Sequence, residues 1–203
     1  MTTKKLPLYL ENTFESIYGN FGARLGAVFL DWFFLSPVII AMAIYNSMHL
    51  NNYYFSFIIY LLVVIVYFTY LPVRYGATPA KRLLGMTILK IDGSTISYRE
   101  SFLKILPQLV LSLLSYGLQC YLISLADEDT FNHLPWLKQA KYINSFFPYS
   151  TLIIMIVGNA YNIANLTVFL MNERKRSIGD QLAGTVVVYT RFLEKIKELE
   201  ITN

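Results

Sequence analysis

The sequence predicts an all-α membrane protein: a four-helix transmembrane bundle with a small β-hairpin and strand cap on its cytoplasmic side. Four apolar runs each approach the roughly 20 residues that cross a hydrocarbon core about 30 Å thick. Of the 203 residues, 55% are hydrophobic and only 15% charged, whereas soluble domains carry nearer 25% charged residues. The mean hydropathy of +0.45 agrees. The formal charge of +4 forms no single stripe, as a nucleic-acid face requires, but gathers beside the apolar runs.

Taken in order, Asn12 and Glu15 have capping-box spacing, and Phe14, Ile17, Tyr18, Phe21 and Leu25 follow at helical intervals. This predicts an amphipathic helix at the membrane interface. The first span is placed at about residues 25–45, with Pro37 as its kink candidate. The second is placed at about 53–73, with Tyr53, Tyr54, Tyr67 and Tyr70 near its ends, where amphipathic rings favour the headgroup zone.

Residues 74–99 are basic and rich in turn signals. Thr78-Pro79 opens a short helix that Gly85 can close. Residues 86–91 and 95–98 flank Asp92-Gly93, a hairpin dipeptide, and Ser97 with Glu100 caps the next helix. The third span is placed at about 101–125. An acidic loop runs from Asp127 to Pro148, and the fourth span at about 149–171.

Beyond it, Ser177 and Asp180 have capping-box spacing, and 185–190 reads as a strand able to pair with the hairpin. Residues 191–203 read as a charged helical tail outside a membrane domain of residues 1–190. All 17 lysines and arginines except Lys138 and Lys141 fall on one side of this topology, so the positive-inside rule puts both termini in the cytoplasm. A bacterial inner membrane is the expected location, and no cleaved signal peptide is read at the N-terminus.

Arg24 and Asp31 lie seven residues apart in GARLGAVFLDWFFL, on nearly the same helical face and about 10 Å apart along the axis. A carboxylate at the centre of a span costs about 2.5–3.5 kcal/mol to insert, which makes Asp31 the leading proton- or cation-binding candidate. Asn159 and Asn162 are grouped with it as candidate ion ligands. Gln108, Ser112, Ser115 and Gln119 form one polar face of the third span, and Asn165 extends the asparagine stripe of the fourth; together they are candidates to line a path. Arg24 is placed at the cytoplasmic start of the first span and Asp180 at the same level, so the two are expected to pair, as a structural tie or a gate. Lys81, Arg82, Arg174, Lys175 and Arg176 are read as a surface for anionic lipid headgroups or a partner.

No metal, cofactor or nucleic-acid partner is expected. Cys120 stands alone, and His49 and His133 fall in separate loops without ligand spacing. No nucleophile elbow, phosphate loop or HExxH is present, so no enzyme activity is expected.

Three stretches resemble the RDD family of membrane proteins. GARLGAVFLD supplies its arginine and first aspartate as Arg24 and Asp31, and SIGDQLAGTVVV supplies the second as Asp180. GATPAKRLLGMTILKIDGSTIS is similar to the family's glycine-lysine-arginine motif and the β-like segment after it. Ala80 stands where the family usually has glycine, and Lys104 near where an arginine often begins the third span. The resemblance implies a membrane protein, with cation/proton exchange the activity suggested for some members. Two expectations follow. One is a small cation/proton transporter working through Asp31, which with only four spans calls for a homo-oligomer or a membrane-protein partner. The other is a non-transporting subunit or scaffold that recruits a partner through its basic face.

Overall fold

A computed structural model describes residues 5–9 and 15–201. The described residues are 74% helical, and among them are four helices long and apolar enough to cross a membrane: Phe21–Met48, Asn52–Tyr75, Tyr98–Ser124 and Pro148–Met171. Their ends lie within four residues of the spans expected from sequence. At most 22% of any span's most apolar window is buried inside the chain, so their apolar side chains are left for lipid rather than for one another.

The chain forms two compact units. The first comprises Met1–Phe34, Val64–Pro107 and Ala164–Asn203, and the second Leu35–Val63 and Gln108–Ile163.

In the first unit, Asn20 caps the helix Phe21–Met48 (α1) by accepting from the Ala23 amide at 2.8 Å. Among the described residues before it, 15–20, the expected interfacial helix is absent. Ile17 and Tyr18 are extended instead: Tyr18 bridges to Val188, and the Tyr189 amide donates to the Ile17 carbonyl at 3.0 Å. A neighbouring strand edge outweighs local helical periodicity there. Asn12 and Phe14 lie outside the described residues.

The second apolar helix is Asn52–Ile65 (α2), followed by a π-helical turn at Val66–Tyr70 and by Leu71–Tyr75 (α3). Thr78 then caps Pro79–Leu83 (α4), as its sequence predicts. Met86–Lys90 (β1) follows, but the hairpin partner shrinks to a single bridge between Leu89 and Thr95. The edge is filled by Thr185–Tyr189 (β2), antiparallel, with Ile88 opposite Val187. Both faces of this sheet are buried. Val186 and Val188 pack with Leu6, Ile17 and Leu89, and Val187 packs with Ala27, Ala80 and Met86, as the two-residue period of a strand requires. The apolar side of the C-terminal helix Leu193–Ile201 joins the first of these clusters through Ile196, together with Phe192 just before it.

The second unit holds most of Tyr98–Ser124 (α5). The acidic segment after it is not a plain loop. Asp127 accepts from the Thr130 amide and caps Glu128–His133 (α6), and Trp136–Ser145 (α7) follows. Phe131 and Ile143 from these helices are buried with Leu50, Leu122 and Ile123. Gln139 secures the turn by donating to the Phe131 carbonyl at 3.3 Å and the Ser47 carbonyl at 3.1 Å. Pro148–Met171 (α8) runs back into the first unit, where Ile178–Ala183 (α9) completes it.

Candidate functional site

Five ionisable side chains gather inside the first unit: Arg24, Asp31, Lys81, Lys104 and Asp180. They are organised by two carboxylates held in different ways.

Asp180 is fully enclosed. Its Oδ2 accepts from Arg24 Nη1 at 2.9 Å and from the Ser177 hydroxyl at 2.9 Å and amide at 3.2 Å. Its Oδ1 accepts from Lys104 Nζ at 2.5 Å and the Thr185 hydroxyl at 3.0 Å. Local sequence prepares this. Ser177 and Asp180 form a reciprocal capping box on α9, which orients the carboxyl before any cation arrives. Gly179 lets α9 lie against α5, since a Cβ there would run into the Lys104 carbonyl. Burial alone would raise the Asp180 pKa, but the charges of Lys104 and Arg24 hold it far below its ordinary 3.8. A carboxylate with five donors is a fixed counterion, and the expected Arg24–Asp180 pair is present as such a tie. Lys104 is the member that sequence reasoning passed over, noted only as a departure from the family pattern.

Asp31 is also buried but more loosely held. Tyr67 donates its hydroxyl to Oδ1 at 2.6 Å, and Thr78 donates to Oδ2 at 3.3 Å. Lys81 Nζ lies 3.5 Å from the same Oδ2, longer than a strong charge-assisted bond of about 2.7–2.9 Å. Tyr67 is positioned by the π-helical turn, a geometry common at functional sites; Ser101 on α5 steadies that turn by donating to the carbonyls of Phe68 and Thr69. Tyr67, assigned from sequence to the headgroup zone, therefore belongs to the site. Thr78 was legible only as a helix cap, and the π-helical turn has no sequence signature.

Lys81 requires a correction. It is not on a lipid-facing surface: its ammonium is turned inward against Asp31 and Thr78. Burial pushes its pKa below the ordinary 10.5; Asp31 opposes this, Arg24 adds to it and Asp180 opposes it. Arg174 and Arg176 are also drawn inward, Arg174 donating to the Leu6 carbonyl and Arg176 to the carbonyls of Thr185 and Asp180. A guanidinium presents five donors in a fixed fork, so one arginine can serve several carbonyls. Lys175, with φ of 52°, folds back onto the Leu170 carbonyl, whereas Arg82 is exposed over the Tyr75 ring.

The polar stripes are divided. In the second unit, Gln108, Ser112, Ser115 and Asn162 converge on a largely apolar cavity of about 350 Å³ between α5 and α8. Gln119 and Asn159 do not line it. Asn165, in the first unit, accepts from the Ile178 amide at 2.9 Å and anchors α9. Among the described residues, Asp31 is hydrogen-bonded or ion-paired to Tyr67, Thr78 and Lys81, rather than to Asn159 and Asn162 with which it was grouped.

Apolar helices of spanning length, with ion pairs buried beside them, define a membrane protein. The model of the RDD family matches residues 18–184, a range that holds Arg24, Asp31, Lys81, Lys104 and Asp180, and the chain belongs to that family. No curated protein and no solved structure matches the chain.

Proposed function

We propose that the protein is a cation/proton transporter of four spans with both termini cytoplasmic, in which Asp31 is the carboxylate that exchanges its bound cation. One observation carries this reading: of the two buried carboxylates, Asp180 is saturated by five donors, whereas Asp31 has one short bond and two long ones. A site that must release its ion needs weak ligands, and a buried ionisable group at the head of an apolar helix is retained despite its cost. Asp180, Arg24 and Lys104 then form the frame against which Asp31 works. The scaffold alternative draws on a basic face from which Lys81, Arg174 and Arg176 are diverted into internal bonds.

Purified protein in proteoliposomes should move Na⁺ or K⁺ when a pH gradient is imposed. Asp31→Asn should abolish that movement while the protein still elutes as a single folded species. Absence of flux from folded wild-type protein would overturn the proposal.

A further inference from the structure

We propose that α7 is a membrane-surface helix that binds anionic phospholipid: Trp136 and Leu137 enter the acyl boundary beside the ends of the spans, and Lys138 and Lys141 take the headgroup phosphates. None of the residues of the Asp31 site takes part, so the contact is independent of ion movement.

Position comes first. The inward side of α7 packs on the ends of two apolar helices in its own unit. Ile143 is buried with Leu50, just past α1, and with Leu122 and Ile123 in the last turn of α5, and Gln139 donates to the Ser47 carbonyl. The helix therefore stands where the hydrocarbon core gives way to headgroups. Beyond it, Phe147 and Tyr149 are exposed where the chain enters α8, a span whose most apolar window is only 6% buried inside the chain. Exposed aromatic residues thus join α7 to a lipid-facing helix.

The order of residues around α7 suits that level. At about 100° per residue, Gln139 and Ile143 share the buried side, Trp136 and Leu137 form one flank, Lys141 and Lys138 lie away from the packed side, and Tyr142 forms the other flank. The Tyr142 flank is taken, since its hydroxyl accepts from the Asp127 amide at 3.0 Å. The other is open: Trp136 and Leu137 are 69% and 70% exposed. An apolar flank beside a basic one is the pattern of a helix lying in the interface, and tryptophan favours that depth. Lys138 and Lys141 are the only basic residues between the third and fourth spans, and both fall on this helix. They are exposed, and among the described residues neither is paired with a carboxylate. Three positions apart, they are surface neighbours, and their long stems can follow apolar surface while the ammonium groups reach phosphate. The acidic residues of this segment belong to α6, where the Asp127 carboxylate is occupied by its cap.

Trp32 and Trp136 are the only tryptophans, so Trp32→Phe in the full-length chain leaves Trp136 as the single reporter; the difference between wild type and Trp136→Phe gives the same signal should Trp32→Phe not fold. In phosphatidylcholine vesicles, Trp136 emission should be quenched more by bromine near the top of the acyl chain than by bromine near its end, and only weakly by acrylamide in the water. In vesicles mixing top-brominated phosphatidylglycerol with unlabelled phosphatidylcholine, the quenching should report a preference for the anionic lipid. A lysine at an anionic surface is worth about fivefold in association, so Lys138→Gln with Lys141→Gln should lower that preference by up to roughly thirtyfold. Lys138→Arg with Lys141→Arg should keep it. Trp136 open to acrylamide but not to brominated lipid, Trp136 shielded from both as a covering protein would leave it, or an anionic preference absent from the wild type or unchanged by the glutamine pair would each overturn the proposal.

Discussion

Arg24 and Asp180, 156 residues apart in sequence, are joined by a 2.9 Å ion pair whose carboxylate is almost fully buried. The pair ties the start of α1 to α9, and Lys104 adds α5 through the other carboxylate oxygen. Three separated parts of the chain thus meet at one side chain.

Removing that side chain's charge should be severe. Asp180→Asn leaves Arg24 and Lys104 enclosed without a counterion, and losing one partner of a buried pair costs about 3–5 kcal/mol. Chemical unfolding in detergent micelles should show the loss, and an unchanged midpoint would contradict the role given to Asp180.

The same residue predicts an acid response. The Asp180 pKa is lowered in the folded chain, so its contribution is fully present above the ordinary carboxylate value. It is lost as pH falls below that value, because the unfolded chain then binds the proton that the folded chain resists. One such group changes stability by at most about 1.4 kcal/mol per pH unit. Thermal melting between pH 2 and 6 should be steeper for the wild type than for Asp180→Asn.

Tyr67→Phe keeps the ring and removes the one short bond to Asp31. A buried acceptor deprived of its donor costs about 1–3 kcal/mol. Because Oδ1 is then free to rotate toward the exchanging position, cation affinity should also change. Calorimetric melting and Na⁺ titration of the same sample would separate the two effects.

Gly179→Ala tests close packing rather than charge. Its Cβ would strike the Lys104 backbone carbonyl, which cannot swing aside as a side chain can, so a loss of about 1–3 kcal/mol is expected. Hydrogen exchange at the α9 amides should accelerate by the corresponding factor.

Ile196→Ala examines the C-terminal helix. Ile196 is buried with Val186, Val188 and Phe192, and truncating a buried isoleucine costs about 2–5 kcal/mol. A helix that were only a solvated tail would melt unchanged after this substitution.

The four apolar helices were legible because hydrocarbon thickness imposes their length, and α4 and α9 because Thr78-Pro79 and Ser177-Asp180 are local capping chemistry. Residues 15–20 were misread because Ile17 and Tyr18 also satisfy a helical period, and only the edge of β2, some 170 positions later in sequence, makes them extended. The predicted hairpin gave way to β1–β2 pairing for the same reason. At the site, the Arg24–Asp180 tie could be anticipated from helical depth and charge sign. The Asp31–Lys81 contact could not, since a lysine in a basic stretch carries no mark of pointing inward. Tyr67 was hidden because a π-helical turn shifts the facing of residues by about one position relative to an α-helical count.

The enclosed Asp180 carboxylate also imposes an order on biosynthesis. Asp31 and Lys81 are available to each other once the second span has emerged, but Lys104 must wait 76 residues for Asp180. At translation rates of about 5–20 residues per second that interval is roughly 4–15 s. During it Arg24 and Lys104 stand without their counterion, and the segment that follows the fourth span closes the frame. A chain stopped short of Asp180 lacks the carboxylate that neutralises Arg24 and Lys104 in the folded protein.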